Sequence, residues 1–169
     1  EKKKKTRSTS SSVDPATQYA MDVTSGKEIA GPDIRNSCKR HLADLESCHA
    51  RGLIWDAEAA QRAIDFFAKV LKLNGGEHEG KPFNLLSWQC FIVGSIFGWK
   101  NHDNYRRYRM AYVESGKGSG KSPLAAGIAL YCMVADKEPR AEVYAAATKK
   151  DQAMILFRDA VAMVDQSPA

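Results

Sequence analysis

Eight consecutive residues in the second half of the chain have the types and spacing needed to bind phosphate. They read SGKGSGKS, from Ser115 to Ser122, and follow the pattern G-x-x-x-x-G-K-[ST] except for serine at the first position. Glycines let successive backbone N–H groups curl around a polyphosphate, and a following helix adds partial positive charge at its N-terminus. The predicted phosphate-binding residues are Gly116, Lys117, Gly118, Ser119, Gly120, Lys121 and Ser122.

The chemistry of this loop is that of nucleotide binding. Lys121 would reach the β- and γ-phosphates, and the Ser122 hydroxyl would coordinate Mg²⁺. A protein-kinase loop does not fit, because its lysine lies on a later strand. A dinucleotide-binding loop does not fit either, because Lys121 stands where G-x-G-x-x-G needs its third glycine. A flexible Gly/Ser-rich loop is the alternative that involves no ligand.

A glutamine within an apolar run is the second feature of chemical interest. The run is PFNLLSWQCFIVGSIFGWK, residues 82–100, and Ser87 is predicted to cap a short buried helix from Trp88 to about Phe97. The carboxamide of Gln89 offers a donor and an acceptor, so it can pair with N6 and N7 of adenine. It can equally be a buried amide that its neighbours satisfy.

The elements around the loop predict an α/β domain. Met110–Val113 favours a buried strand before the loop, and a helix is expected from about Lys121 to Ala135. The run AEVYAAAT, residues 141–148, is a second strand candidate, followed by a helix from Lys149 to about Asp165. Strand, loop, helix, strand and helix in this order predict a parallel sheet.

The first half of the chain predicts helices behind a polar tail. Apolar residues recur at helical spacing from Asp33 to about Ser47. A second helix begins at Asp56 and ends before the Asn74-Gly75-Gly76 turn. The tail from Glu1 to about Pro15 is rich in Lys and Ser, so it cannot bury enough apolar surface to order itself.

Composition and charge describe a globular chain with a basic tail. The chain has 169 residues, of which 44% are hydrophobic and 27% charged, with a net charge of +5. Residues 1–7 alone hold five basic residues and one acidic residue, so the rest is nearly neutral and charge does not argue for nucleic-acid binding. No apolar run is long enough for a membrane span. The histidines are scattered, and the cysteines, which are expected to be free thiols, lack metal-site spacing.

Four stretches resemble the large terminase subunit of tailed phages and prophages, the ATPase that drives DNA into capsids. They run from about Tyr19 to the end of the chain and read YAMDVTSGKEIAGPDIRNSCKRHLADLES, GKPFNLLSWQCFIVGSIFGW, YRMAYVESGKGSGKSPLAAGIALY and VYAAATKKDQAMILFRDAVAMVDQSP. The resemblance implies an α/β fold, part of a P-loop NTPase of the ASCE type with a parallel sheet. It divides the chain into a disordered tail (1–15), a helical lead-in (16–80) and the N-terminal part of the ATPase domain (81–169).

The resemblance also implies roles for particular residues and partners. Trp88 and Gln89 match the family's adenine-recognition element, and Lys121 and Ser122 match its phosphate and Mg²⁺ positions. Lys117 stands roughly where the family often has arginine, and lysine is a point charge rather than a planar fork. The implied cofactors are ATP and Mg²⁺. The implied partners are double-stranded DNA, the terminase small subunit and the portal, in an oligomeric motor in the host cytoplasm without a membrane partner.

No hydrolytic residues are predicted in this sequence. Hydrolysis needs an apolar strand that ends in a Mg²⁺-binding carboxylate. The one similar run, 131–138, continues the helix that begins at Lys121, which places Asp136 about 20 Å from the loop. We therefore expect an ATP-binding part of the motor without catalytic residues or nuclease, unstable or self-associating when alone.

Two alternatives to a terminase motor stay open at this point. A different P-loop ATPase, such as a helicase-like protein, would also carry an upstream glutamine. A non-catalytic binding module or prophage remnant would keep the loop without its activity. The basic cluster Arg106–Arg109 is consistent with phosphate contacts to DNA and with an ordinary solvated segment.

Overall fold

The computed structural model describes residues 13–167, which form six helices and one two-stranded sheet. The predicted disordered tail therefore lies almost wholly outside the described residues. Short 3₁₀ turns occur at His49–Arg51 and Gly76–His78. In this range no helix is long and apolar enough to cross a membrane. The regular elements are α1 (Pro15–Thr24), α2 (Pro32–Ser47), β1 (Leu53–Trp55), α3 (Ala57–Val70), α4 (Ser87–Gly98), β2 (Trp99–Asn101), α5 (Lys121–Val134) and α6 (Lys150–Asp165).

The predicted helices are confirmed, with differences at their ends. The Asp56 carboxylate accepts a hydrogen bond from the Ala59 N–H at 2.8 Å and so caps α3 as predicted. Ser87 is not the cap of α4 but its first helical residue. Gln89 Oε1 instead accepts from the Leu86 N–H at 2.9 Å, the half of a capping box that a glutamine three residues into a helix can supply.

The predicted parallel sheet is not present among residues 13–167. The strands there are β1 and β2, which pair antiparallel with Trp55 opposite Trp99. The two predicted strands, 110–113 and 141–148, have no ladder partner within the described residues. Met110 is 89% exposed and Tyr144 84% exposed, because a strand becomes buried only when neighbouring strands and helices cover it. The expectation of self-association stays a prediction.

The larger apolar core joins α3, α4, α5 and α6. Phe67 of α3 and Met163 of α6 are fully buried in it, together with Val93 of α4. The ring of Phe67 in α3 lies directly against the backbone of α5, where a Cβ atom added to Gly127 would lie 2.2 Å from its Cε1. Only a residue without a side chain allows α5 to lie at this distance.

The smaller apolar core lies between α1, α2 and the outer side of α4. Asp14 caps α1 by accepting from the N–H groups of Ala16 and Thr17, with Pro15 in the first turn. A Cβ atom added to Gly94 of α4 would lie 2.6 Å from the Cβ of Ala16. This helix pair is therefore also packed through small residues.

A buried histidine links these N-terminal elements. His41 of α2 is 2% exposed, and its Nδ1 accepts a hydrogen bond from Trp99 Nε1–H at 2.9 Å. Its Nε2 therefore carries the proton and donates to the Thr17 hydroxyl at 3.0 Å. That hydroxyl donates to Asp14 at 2.7 Å. Burial lowers the pKa of His41 to about 4, since the charges of Asp14 and Asp44 only partly oppose it.

Adding a methyl group at Gly127 should destabilise the fold. Gly127→Ala gains about 1 kcal/mol in helix propensity, but its Cβ would overlap a buried aromatic ring, so we expect a net loss of about 2 kcal/mol. Urea unfolding measures the change. Gly116→Ala is the matched control, because a Cβ there meets no atom within 4 Å. Equal midpoints for both variants would contradict the close approach of the two helices.

Acid should destabilise the protein through His41. Its pKa is about 4 when folded and 6.5 in the absence of burial, so the unfolded chain binds a proton that the folded chain excludes. The stabilising contribution is complete above pH 6.5 and decreases as the pH falls toward 4, by up to about 3 kcal/mol.

Urea unfolding at pH 7.5 and pH 5 tests this dependence. The His41→Gln variant should lose that part of the pH dependence, although it will be less stable at neutral pH. The exposed His78 provides the matched control, since His78→Gln should keep the wild-type profile. The same pH dependence in His41→Gln as in the wild type would show that another group is responsible.

Candidate functional site

The glycine-rich loop lies directly before α5, as the sequence predicts. Gly118 has φ +81° and Gly120 has φ +80°, a left-handed conformation that side chains disfavour. Gly120 is the residue before the first helical position, and its carbonyl accepts the first helical hydrogen bond, from Leu124 N–H at 3.1 Å. The loop therefore ends at a helix N-terminus, where unpaired N–H groups favour an anion.

Lys121 closes the loop by folding back over it. Its Nζ donates to the carbonyl oxygens of Ser115 and Gly116. The hydroxyls of Ser115 and Ser119 also bond to each other at 2.5 Å. The serine at the first pattern position thus forms a contact across the loop that glycine could not form.

The outer side of the loop is open. A Cβ atom added to Gly116 or Gly118 would meet no atom within 4 Å, and the side chain of Lys117 is exposed. Ser122 is exposed in the first turn of α5. This geometry leaves room for a polyphosphate against the backbone of the loop.

The structure brings Gln89 next to the loop. Gln89 is buried, with 3% of its surface exposed, and a Cβ atom added to Gly120 would lie 3.5 Å from its Nε2. Its Oε1 accepts from Leu86 N–H. Gln89 therefore lies between the N-terminus of α4 and the N-terminus of α5, so two residues that the sequence predicts for one site, Gln89 and Gly120, are neighbours in space.

Trp88 has a different environment from its neighbour Gln89. It is partly buried and packs against both apolar cores. Its indole therefore helps to hold α4 between the two apolar cores. The adenine roles of Trp88 and Gln89 remain predictions.

Metal ligands at the site are few. Among residues 13–167 no group of three or more His, Cys, Asp or Glu side chains is placed to hold a metal ion. The hydroxyl of Ser122 beside Lys121 fits a Mg²⁺ ion that is held mainly by phosphate oxygens and water, because Mg²⁺ bound with nucleotides usually keeps several waters.

Asp136 lies at the end of α5 that is distant from the loop. It follows the last helical residue, Val134, by two positions, and a helix of this length places it about 20 Å away. Arg106 Nη1 pairs with Asp136 Oδ2 at 2.9 Å. Burial raises the pKa of Asp136, and the Arg106 charge opposes this rise.

Most of the basic cluster at 106–109 has structural contacts. Arg107 pairs with the buried carboxylate of Asp44 at 2.6 Å, and its guanidinium lies 5.2 Å from the ring centroid of Trp99. Arg51 pairs with the same carboxylate. Arg109 is exposed. These roles of Arg106 and Arg107 were not predictable from the sequence, since no local pattern connects them to Asp44 or Asp136.

One family model matches the chain, over the part that contains this geometry. It is described as the terminase large subunit, ATPase domain, and it covers residues 87–169. The match begins at the first residue of α4 and includes Gln89, the loop, α5 and α6. Neither the curated proteins nor the solved structures contain a match to this chain.

The matched segment defines the class of protein as an ATPase domain, which implies a P-loop NTPase fold. Residues 87–169 belong to the family of terminase large subunits. The resemblance is thus confirmed for this part of the chain. For residues 19–86, and for the division at residue 80, it stays a prediction.

Proposed function

We propose that this chain binds ATP with Mg²⁺ as part of a terminase large subunit, the motor that packages viral DNA into capsids. The single observation that carries the proposal is the open glycine-rich loop at the N-terminus of α5, within the segment that matches the ATPase-domain family. The same match favours a terminase over a helicase-like ATPase.

Each residue of the loop has a role in this proposal. The backbone N–H groups of residues 116–120 and the N-terminus of α5 bind the phosphates. Lys121 exchanges its bonds to two neutral carbonyls for charge-assisted bonds to phosphate oxygens, which are stronger. Ser122 supplies one ligand to Mg²⁺, and the bound ion neutralises phosphate charge.

Gln89 is proposed to read the adenine from its position beside Gly120. Its Oε1 already accepts one hydrogen bond from Leu86 N–H, and a carbonyl oxygen can accept two. Its Nε2 faces the loop. An adenine base that approaches the N-terminus of α4 would therefore meet both the donor and the acceptor of the Gln89 amide. The phosphates of the same nucleotide would be directed toward the loop.

The motor activity requires a Mg²⁺-binding carboxylate at the end of a strand beside the loop and a residue that orients the attacking water. Within residues 13–167 no strand that ends in a carboxylate lies beside the loop. We propose that these 169 residues bind ATP without hydrolysing it. In the complete motor, which would act in the bacterial cytoplasm, double-stranded DNA, the small subunit, the portal and further copies of the large subunit would be the partners.

Loss of Lys121 should weaken ATP binding. Lys121→Ala removes the cation that faces the phosphates, so the dissociation constant for MgATP should rise at least about tenfold, which is 1.4 kcal/mol. Isothermal titration calorimetry measures it. The exposed Lys81 gives a matched control, because Lys81→Ala removes the same charge elsewhere. Equal affinity in wild type and Lys121→Ala would refute this role and favour a non-catalytic remnant.

ATP hydrolysis by the 169-residue chain should be negligible. Since a Mg²⁺-binding carboxylate and a water-orienting residue are needed, phosphate release from MgATP should not exceed that of the Lys121→Ala variant. A phosphate-release assay at saturating ATP makes the comparison. Turnover that depends on Lys121 would show that the chain holds a catalytic carboxylate after all.

A further inference from the structure

We propose that the ion pair between Arg106 and Asp136, at the C-terminal end of α5, controls the position of the phosphate loop. Arg106 and Asp136 are then positioning residues for nucleotide binding. This inference rests on the proposed function of the loop. It concerns two residues that neither the loop pattern nor the family match singles out. Three features of the structure carry it: the fixed backbone of Arg106, its contacts with α5, and the packing of α5 on α3.

The backbone of Arg106 is fixed to the N-terminal half of the structure. Lys100 and Arg106 form an antiparallel bridge beyond β2. On either side of it, Asn101 N–H donates to the Tyr105 carbonyl and Arg107 N–H to the Trp99 carbonyl, both at 2.9 Å. Trp99 is fully buried. Arg106 therefore moves with β2 and the helices around it.

The side chain of Arg106 reaches the end of α5. Its Nη1 pairs with Asp136 Oδ2 at 2.9 Å and donates to Cys132 Sγ at 3.5 Å. The guanidinium lies 5.5 Å from the ring centroid of Phe97 in α4. Asp136 is itself held to the helix, since its N–H donates to the Tyr131 carbonyl at 3.0 Å. A cation at this end also complements the helix dipole.

The packing of α5 makes its two ends move together. Gly127, against Phe67, lies at the middle of the helix, about 10 Å from each end. If α5 rotates about this close contact, a shift of the Asp136 end produces a similar shift of Gly120 in the opposite direction. The Phe97–Tyr131 ring contact, 4.5 Å between centroids, also joins α4 to α5 near this end, and the ion pair adds a directional polar contact beside it.

The consequence concerns the distance between Gln89 and Gly120. Gln89 belongs to α4, which like Arg106 stays in place when α5 rotates. Gly120 belongs to α5 and moves with it. Breaking the ion pair therefore changes the spacing between the adenine-reading residue and the phosphate loop. It leaves the loop itself intact, because the contacts of Lys121, Ser115 and Ser119 are local.

Two ligands separate this positioning role from a general effect on folding. MgATP needs both the base contact and the phosphate contacts, whereas inorganic triphosphate with Mg²⁺ needs only the loop. In Arg106→Ala and in the isosteric Asp136→Asn, the dissociation constant for MgATP should rise by up to about fivefold, because a partly exposed ion pair contributes no more than about 1 kcal/mol. The constant for triphosphate should change by less than about twofold. Calorimetry on the 169-residue chain gives both values.

Rescue and control variants complete the test. The exchanged pair Arg106→Glu with Asp136→Arg should restore most of the MgATP affinity, and Arg106→Lys should keep part of it. Arg109→Ala removes an exposed arginine nearby and should change neither constant. Circular dichroism melting checks that each variant folds. If Arg106→Ala does not fold, the affinities of Asp136→Asn and Arg106→Lys for MgATP and triphosphate provide the test.

The outcomes distinguish this inference from the function on which it rests. Equal losses for both ligands, unchanged MgATP affinity in Asp136→Asn, or no rescue by the exchanged pair would each overturn the positioning role. Binding that is the same in wild type and Lys121→Ala for both ligands would instead refute the nucleotide site itself.

Discussion

The position of the candidate site depends on the close packing of α5 against α3, at Gly127 and Phe67. A Cβ atom at Gly127 would fall 2.2 Å from the buried ring, so the two helices approach as closely as backbone and ring allow. This contact fixes the middle of α5 against α3, and the placement of α5 sets where Gly120 and the loop lie. The ATP-binding proposal relies on the proximity of Gly120 and Gln89. This proximity is a consequence of helix packing in the larger core.

Polar contacts in the N-terminal half of the structure hold Gln89, on the opposite side of the site from the loop, in place. Asp44, 1% exposed, is compensated by Arg51 and Arg107, and an uncompensated buried carboxylate would be costly. His41 stays neutral between Trp99 and Thr17. These interactions hold β2 and α4 against α1 and α2, so Gln89 is presented from a rigid support. Of the basic cluster at 106–109, Arg107 is used for this purpose, whereas Arg106 binds Asp136.

The helices and the backbone conformation of the loop were predictable because their causes are local. The Asp56 cap, the apolar spacing of α2 and α3, and the glycines at 118 and 120 act within a few residues of each other. The strands were not predictable in the same way. Residues 110–113 have the composition of a buried strand, yet they are exposed and unpaired among the described residues, because pairing depends on partners far away in the chain. Conversely, β1 and β2 are only three residues long, too short for a period-two pattern.

By itself, the sequence determined the glycine-rich loop, the helices that surround it and the resemblance that the family match confirms for residues 87–169. Residue types and short-range spacing carry this information, since backbone freedom and helix capping are local properties. Only the tertiary structure decided that Gln89 lies beside Gly120, that Arg106 binds Asp136, and that Arg107 is committed to Asp44. These pairs join residues 30 to 63 positions apart, and their contacts arise from the packing of whole helices, which no local pattern records.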